Sequence, residues 1–168
     1  MGVKWIGLSL LFAVCGFCGA WMTYRLTVRT RELESLLQML AYFRTQMQFS
    51  RAPLQTLLTN ASRQSCAPAF LSGVMRCVSD GQVFPLAWKR AVEQQPNTFY
   101  CEEDRRLLLS LGELLGSTDA HGQEEGLLLH EQLAKQSLEK ARRQQEKHGK
   151  TYLTLGVLTG LTLVILLV

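Results

Sequence analysis

Two charge-free apolar stretches, one near each end of the chain, constrain its fold more than any other feature. Trp5 to Tyr24 contains no charged residue and is bounded by Lys4 and Arg25, and Thr151 to Val168 is a second such stretch. At 1.5 Å rise per residue they would extend about 30 and about 27 Å, close to the thickness of a bilayer's hydrocarbon core. Lipid offers backbone amides no partner, so both stretches are predicted to be membrane-spanning helices. Spans at 5–24 and 151–168 leave residues 25–150 as one intervening domain, long enough to bury a modest core. A total of 168 residues agrees with a single domain.

A cleaved signal peptide is the rival reading of the first stretch, with Cys18-Gly19-Ala20 as a small-residue cleavage site. Against it, the stretch exceeds a usual signal core, and Arg25, Arg29 and Arg31 follow at once, which opposes export. Val14 before Cys15 is likewise a poor lipoprotein signal. Basic residues gather at the inner ends of both stretches: Arg25, Arg29 and Arg31, then Lys140, Arg142, Arg143, Lys147 and Lys150. The positive-inside rule therefore predicts a cytoplasmic domain with both termini outside. Most of the net charge of +4 is this flanking excess, which suits anionic lipid headgroups and gives no case for nucleic acid. Five scattered Cys form no disulfide framework and agree with a reducing compartment.

Between the stretches the periodicity is helical. Leu33, Leu36, Leu37, Leu40, Phe43 and Met47 recur at three-and-four spacing, and Pro53 opens a shorter helix carrying Leu54, Leu57, Leu58 and Ala61. Ala67-Pro68 begins a third, stopped by Asp80-Gly81, and Phe84-Pro85 begins a fourth that ends before Pro96. Glu102, Glu103 and Asp104 start a fifth, where acidic groups meet the positive end of the helix dipole, and Gly116 is its expected C-terminal cap. From Gln123 no proline or breaker intervenes, so one helix is predicted to run from the domain into the second span, supported by the Glu131–Lys135 and Glu139–Arg143 pairs. No stretch alternates apolar and polar residues, so the fold class is all-α: a helical bundle flanked by N-terminal and C-terminal transmembrane helices.

Chemical motifs are fragments only. Gly149-Lys150-Thr151 ends like a phosphate-binding loop but lacks the earlier glycine, since position 144 is Gln. His130-Glu131 begins a zinc-protease pattern, yet position 134 is Ala, and His121, His130 and His148 are expected to be solvent-exposed. Cys15-x-x-Cys18 lies inside an apolar span, where thiols pack as small apolar groups. No nucleophile motif with a nearby base appears, and no catalytic residue, cofactor or metal site is predicted. Small residues one turn apart let helices approach closely in a membrane, so Gly156 and Gly160, with Gly16 and Ala20, are the candidate span-packing positions. The membrane-flanking basic set is Arg25, Arg29, Arg31, Lys147 and Lys150, and Asp119 and Gln123 are candidate partner contacts in the turn before the last helix.

Several of these residues also carry a family resemblance. Leu111-Gly112-Glu113-Leu114-Leu115-Gly116-Ser117-Thr118-Asp119, then Gln123, the charged helix to Lys147 and Lys150, and Leu155 to Leu161 resemble the stage III sporulation protein AB family, as do Arg29-Thr30-Arg31 and Ala52-Pro53-Leu54. Residues 60 to 105 match only in helical character. The resemblance implies a bundle similar to the cytoplasmic domains of type II secretion F proteins, within a membrane complex joining mother cell and forespore. It further implies other membrane subunits and a cytoplasmic secretion-type ATPase as partners, a place on the mother-cell side of the outer forespore membrane, and no catalytic residues. The expected function is a non-enzymatic scaffold. The alternatives are a membrane-anchored sensor or enzyme with a ligand pocket in the bundle and Cys66, Cys77 or Cys101 as its reactive group, or a scaffold exported after signal cleavage.

Overall fold

The computed structural model describes the backbone of residues 2–50, 54–64, 66–96, 99–116 and 120–167. Side-chain surroundings are described in α1 for residues 14 and 17–47, and in α6 for residues 122–147, 154, 158 and 162. The described residues form α1 (Gly2–Ser50), α2 (Leu54–Ser62), α3 (Ala69–Ser79), α4 (Phe84–Glu93), α5 (Glu102–Gly116) and α6 (Ala120–Leu167), with no strand among them. The chain divides into two compact units, Arg29–Glu139 and the paired ends Met1–Val28 with Lys140–Val168.

Helix ends follow local chemistry. Pro68 precedes α3, and Gly81 beyond its end holds φ +83, a left-handed conformation that glycine adopts without penalty. Pro85 occupies the first turn of α4, where its missing N–H costs nothing. The predicted continuity of the last helix is observed in α6, while α1 extends the same behaviour to the front of the chain. No Gly or Pro separates Tyr24 from Arg29, so nothing interrupts the hydrogen-bond ladder there. Gly116 corrects an expectation: it ends α5 without a positive φ. Its missing side chain instead makes room for Pro85, whose Cγ would lie 2.9 Å from a Cβ built there.

In the unit Arg29–Glu139 the interior is built on Leu33, Leu36, Leu40 and Phe43 of α1, Phe70 and Leu71 of α3, Trp88 of α4, and Leu108 and Leu111 of α5. Phe70 meets Trp88 edge-on at 5.0 Å between ring centroids, and Tyr100 lies 6.3 Å from Phe70. The indole N–H of Trp88 donates to the Leu108 carbonyl at 2.7 Å, so the buried donor is satisfied. Trp88 can sit this close because position 112 is glycine: a Cβ there would be 2.2 Å from the indole Cδ1. Gly126 of α6 likewise receives Leu114, whose Cδ1 would be 2.4 Å from an added Cβ. Two positions along a helix correspond to about 200°. Leu108 and Gly112 facing α4, and Ser110 and Leu114 facing α6, therefore put those helices on opposite sides of α5.

In the unit of the two ends, Gly19 is buried, Thr23 Oγ1 donates to the Gly19 carbonyl, and Thr27 Oγ1 donates to the Thr23 carbonyl, both at 3.1 Å. Gln145 Nε2 of α6 donates to Thr27 Oγ1 at 3.2 Å, and Ala141 is buried. The stretches 5–24 and 151–167 are helical parts of α1 and α6, with many of their side chains outside the described residues. Among the described residues, no helix is long and apolar enough to cross a membrane.

Candidate functional site

The polar groups of the Arg29–Glu139 unit concentrate where α1, α3 and the start of α5 meet. Asp104 in the first turn of α5 has no solvent exposure, although its neighbours Glu102 and Glu103 are exposed. Arg29 of α1 donates from Nε to Asp104 Oδ2 at 2.7 Å and from a terminal nitrogen to Oδ1 at 3.3 Å, a two-pronged pair. The backbone N–H of Cys101 donates to the same Oδ2 at 3.0 Å, which caps the helix with a carboxylate reaching back to the preceding residue. Burial lowers the affinity of Arg29 for its proton, but the hydrogen bond and charge of Asp104 outweigh it and the guanidinium pKa is raised. Arg29, predicted as part of the membrane-flanking set, thus spends its charge inside the protein.

One turn along α1, Glu32 Oε2 accepts the Tyr100 hydroxyl at 2.7 Å and the Ala69 amide at 2.9 Å, the latter at the start of α3. Burial, reinforced by the Glu32 carboxylate, raises the Tyr100 pKa above the ordinary phenol range. Arg29 also lies 3.2 Å from Cys101 Sγ. Burial chiefly raises the Cys101 pKa, with the Asp104 backbone hydrogen bond and the Arg29 charge opposing only in part, a direction opposite to that of an activated thiol.

A second cluster joins α1, α5 and α6. His130 is buried, contrary to the solvent exposure expected for it, with Ser110 of α5 facing the ring. Its Nδ1–H donates to the Gly126 carbonyl at 2.7 Å, and Nε2 lies 3.0 Å from Ser110 Oγ. Glu131 takes the predicted Lys135 pair at 2.7 Å and faces Arg44 of α1 at 3.0 Å, close but misaligned for a hydrogen bond. Arg105 of α5 donates to the Val92, Glu93 and Gln95 carbonyls, satisfying the exposed end of α4. These groups tie helices together, and the Ser110 hydroxyl beside His130 also lies 3.0 Å from the Leu107 carbonyl of its own helix. Among the described residues no three His, Cys, Asp or Glu gather as a metal-binding group.

The predicted site residues fall in different places. Arg25, Arg31 and Lys147 are exposed, and Gln123 is half-buried in the first turns of α6. Asp119 lies outside the described residues, and Gly16 of α1 and Lys150, Gly156 and Gly160 of α6 are helical positions whose surroundings lie outside the described ones. Ala20 is exposed, whereas the buried small residue of α1 is Gly19, one position and about 100° round the helix. Cys66 is exposed and Cys77 half-buried, without a charged partner described beside either. Sequence reasoning missed Asp104, Glu32 and Tyr100, whose pairing depends on which helices become neighbours.

No curated protein matches the chain. A solved structure titled stage III sporulation protein AB is similar at 19% identity, with a TM-score of 0.61 over 71% of this chain and 98% of that one, which shows a shared fold. The family description stage III sporulation protein AB matches residues 4–168. With a match of that extent, the chain belongs to the stage III sporulation protein AB family.

Proposed function

We propose that this protein is a non-enzymatic membrane scaffold, a subunit of a sporulation-specific, secretion-like complex linking mother cell and forespore. Its Arg29–Glu139 unit would dock a cytoplasmic secretion-type ATPase, while the chain ends hold it in the membrane beside other subunits. The family match across residues 4–168 is the observation that carries this reading. Interior ionisable groups agree with it: Arg29, Glu32, Asp104 and Glu131 pair with protein groups, as expected of side chains that fix an architecture. Burial that raises the Cys101 pKa does not favour the rival reading of a reactive thiol at that residue.

In this reading both apolar stretches span the membrane, the basic flanks keep the unit cytoplasmic, and the protein sits on the mother-cell side of the outer forespore membrane. The test is co-purification of the full chain, solubilised in mild detergent from sporulating cells, with the secretion-type ATPase. Retention of the ATPase at physiological salt is the expected result; its absence at every salt concentration overturns the docking claim.

A further inference from the structure

The two ends of the chain make one face of α1 polar and small, and the opposite face aromatic. Gly19, Thr23 and Thr27 lie on the side joined to α6, through the Gln145 bond to Thr27. At about 100° per residue, Val14, Phe17, Trp21 and Tyr24 fall on the far side. They are exposed by 56, 68, 51 and 55%, respectively. Phe17 stacks on Trp21 at 6.3 Å between centroids, and Trp21 meets Tyr24 at 6.2 Å, so the three rings form a continuous ladder. Scattered exposed apolar residues need no explanation, but an aligned aromatic ladder with no described cover does.

The residues beyond Tyr24 indicate the occupant of the ladder. Arg25 comes directly after Tyr24 and is exposed. Arg25 and Lys147 each lie two residues from the Gln145–Thr27 bond, both on the side leading to a chain end, so they share a level. Lys140, Arg142 and Arg143 are exposed nearby on α6. Along α1 the exposed side thus changes over about 16 Å from a base, through Tyr24 and Trp21, to Phe17 and Val14. That order reproduces the layers of a bilayer surface: phosphate, the carbonyl region where amphipathic rings settle, then hydrocarbon. A soluble protein partner would not require it.

We propose that Trp21 and Tyr24 form an interfacial anchor seated in the carbonyl region of an anionic bilayer, with Phe17 in the hydrocarbon beneath them and Arg25 and Lys147 at the lipid phosphates. This rests on the membrane reading above and adds which face of α1 meets lipid and at what depth. The test uses the full chain carrying Trp5→Phe, reconstituted into phosphatidylglycerol-containing vesicles with lipids brominated either near the carbonyls or at the chain ends. The Trp21 emission is the difference between this protein and one that also carries Trp21→Phe. It should be quenched at least about twofold more by the shallow bromines than by the deep ones.

Vesicle-bound protein whose Trp21 is quenched by neither lipid overturns the anchor, since protein then covers the ladder, and leaves the membrane reading intact. Quenching strongest at the chain ends also overturns it, placing the ring in hydrocarbon. Protein that fails to float with the vesicles overturns both. Replacing phosphatidylglycerol by phosphatidylcholine should shift the Trp21 emission to the red; an emission indifferent to that exchange overturns the role of the bases.

Discussion

Asp104 has lost all contact with water and holds three donors in exchange: two from Arg29 and the Cys101 amide. Removing one partner of such a pair leaves the other charged and poorly solvated. Asp104→Asn should therefore destabilise the protein by about 3 kcal/mol, at the lower end for buried pairs because Arg29 keeps some solvent access. Thermal or urea unfolding of the detergent-solubilised chain measures it, and a change within error would assign the pair no structural weight. Tyr100 makes a pH prediction. Its pKa is raised by burial and by Glu32, so the folded state keeps a proton that the unfolded state releases near pH 10. Its contribution is complete below that pH and is lost above it. The urea midpoint should fall between about pH 9 and about pH 11, and Tyr100→Phe should flatten that fall. Neither residue could be singled out from the sequence. Glu102, Glu103 and Asp104 read alike as acidic residues at a helix start, and only the position of Arg29 separates the buried one from its exposed neighbours.

At the scale of helices, close approach is set by glycines whose purpose is spatial. Gly112→Ala would press a Cβ to 2.2 Å from the Trp88 ring, which is pinned by its own hydrogen bond and by Phe70. The better helix propensity of Ala is worth about 1 kcal/mol and cannot compensate for forcing α4 from α5, so a net loss of about 1–3 kcal/mol is expected. Gly81→Ala meets no atom within 4 Å but must hold φ +83, costing about 1–2 kcal/mol by backbone strain alone. Tryptophan emission distinguishes the two, because it should shift in Gly112→Ala and stay unchanged in Gly81→Ala. Helix limits were largely legible in advance, since Pro68, Gly81, Pro85 and the acidic start at Glu102 act on their immediate neighbours. The roles of Gly112, Gly116 and Gly126 were not, because a glycine in sequence does not say whether it frees a backbone angle or admits a ring from another helix. The burial of His130 was not legible for the same reason: its ring is held by Ser110 on another helix and by the Gly126 carbonyl one turn back.

For the molecule as a whole, the proposed topology makes cysteines placed at Arg25 and Lys150, in a chain cleared of its own five, resistant to a membrane-impermeant maleimide until cells are lysed. Labelling in intact cells would reverse the orientation. If Gly156 and Gly160 form a packing face, the double change to Leu should lower recovery of assembled complex in mild detergent; normal recovery would reduce both to spacers. The long separation between partners has a consequence for synthesis. Arg29 waits for Asp104, 75 residues further on, and Glu32 for Tyr100, 68 residues further on. A ribosome adding roughly 5–20 residues per second needs several seconds to deliver them. Until the interval ends, the Leu33–Phe43 side of α1 lacks Leu108 and Leu111 of α5, which share its interior, so a nascent chain stalled before residue 104 should be more readily captured by chaperones than the complete one.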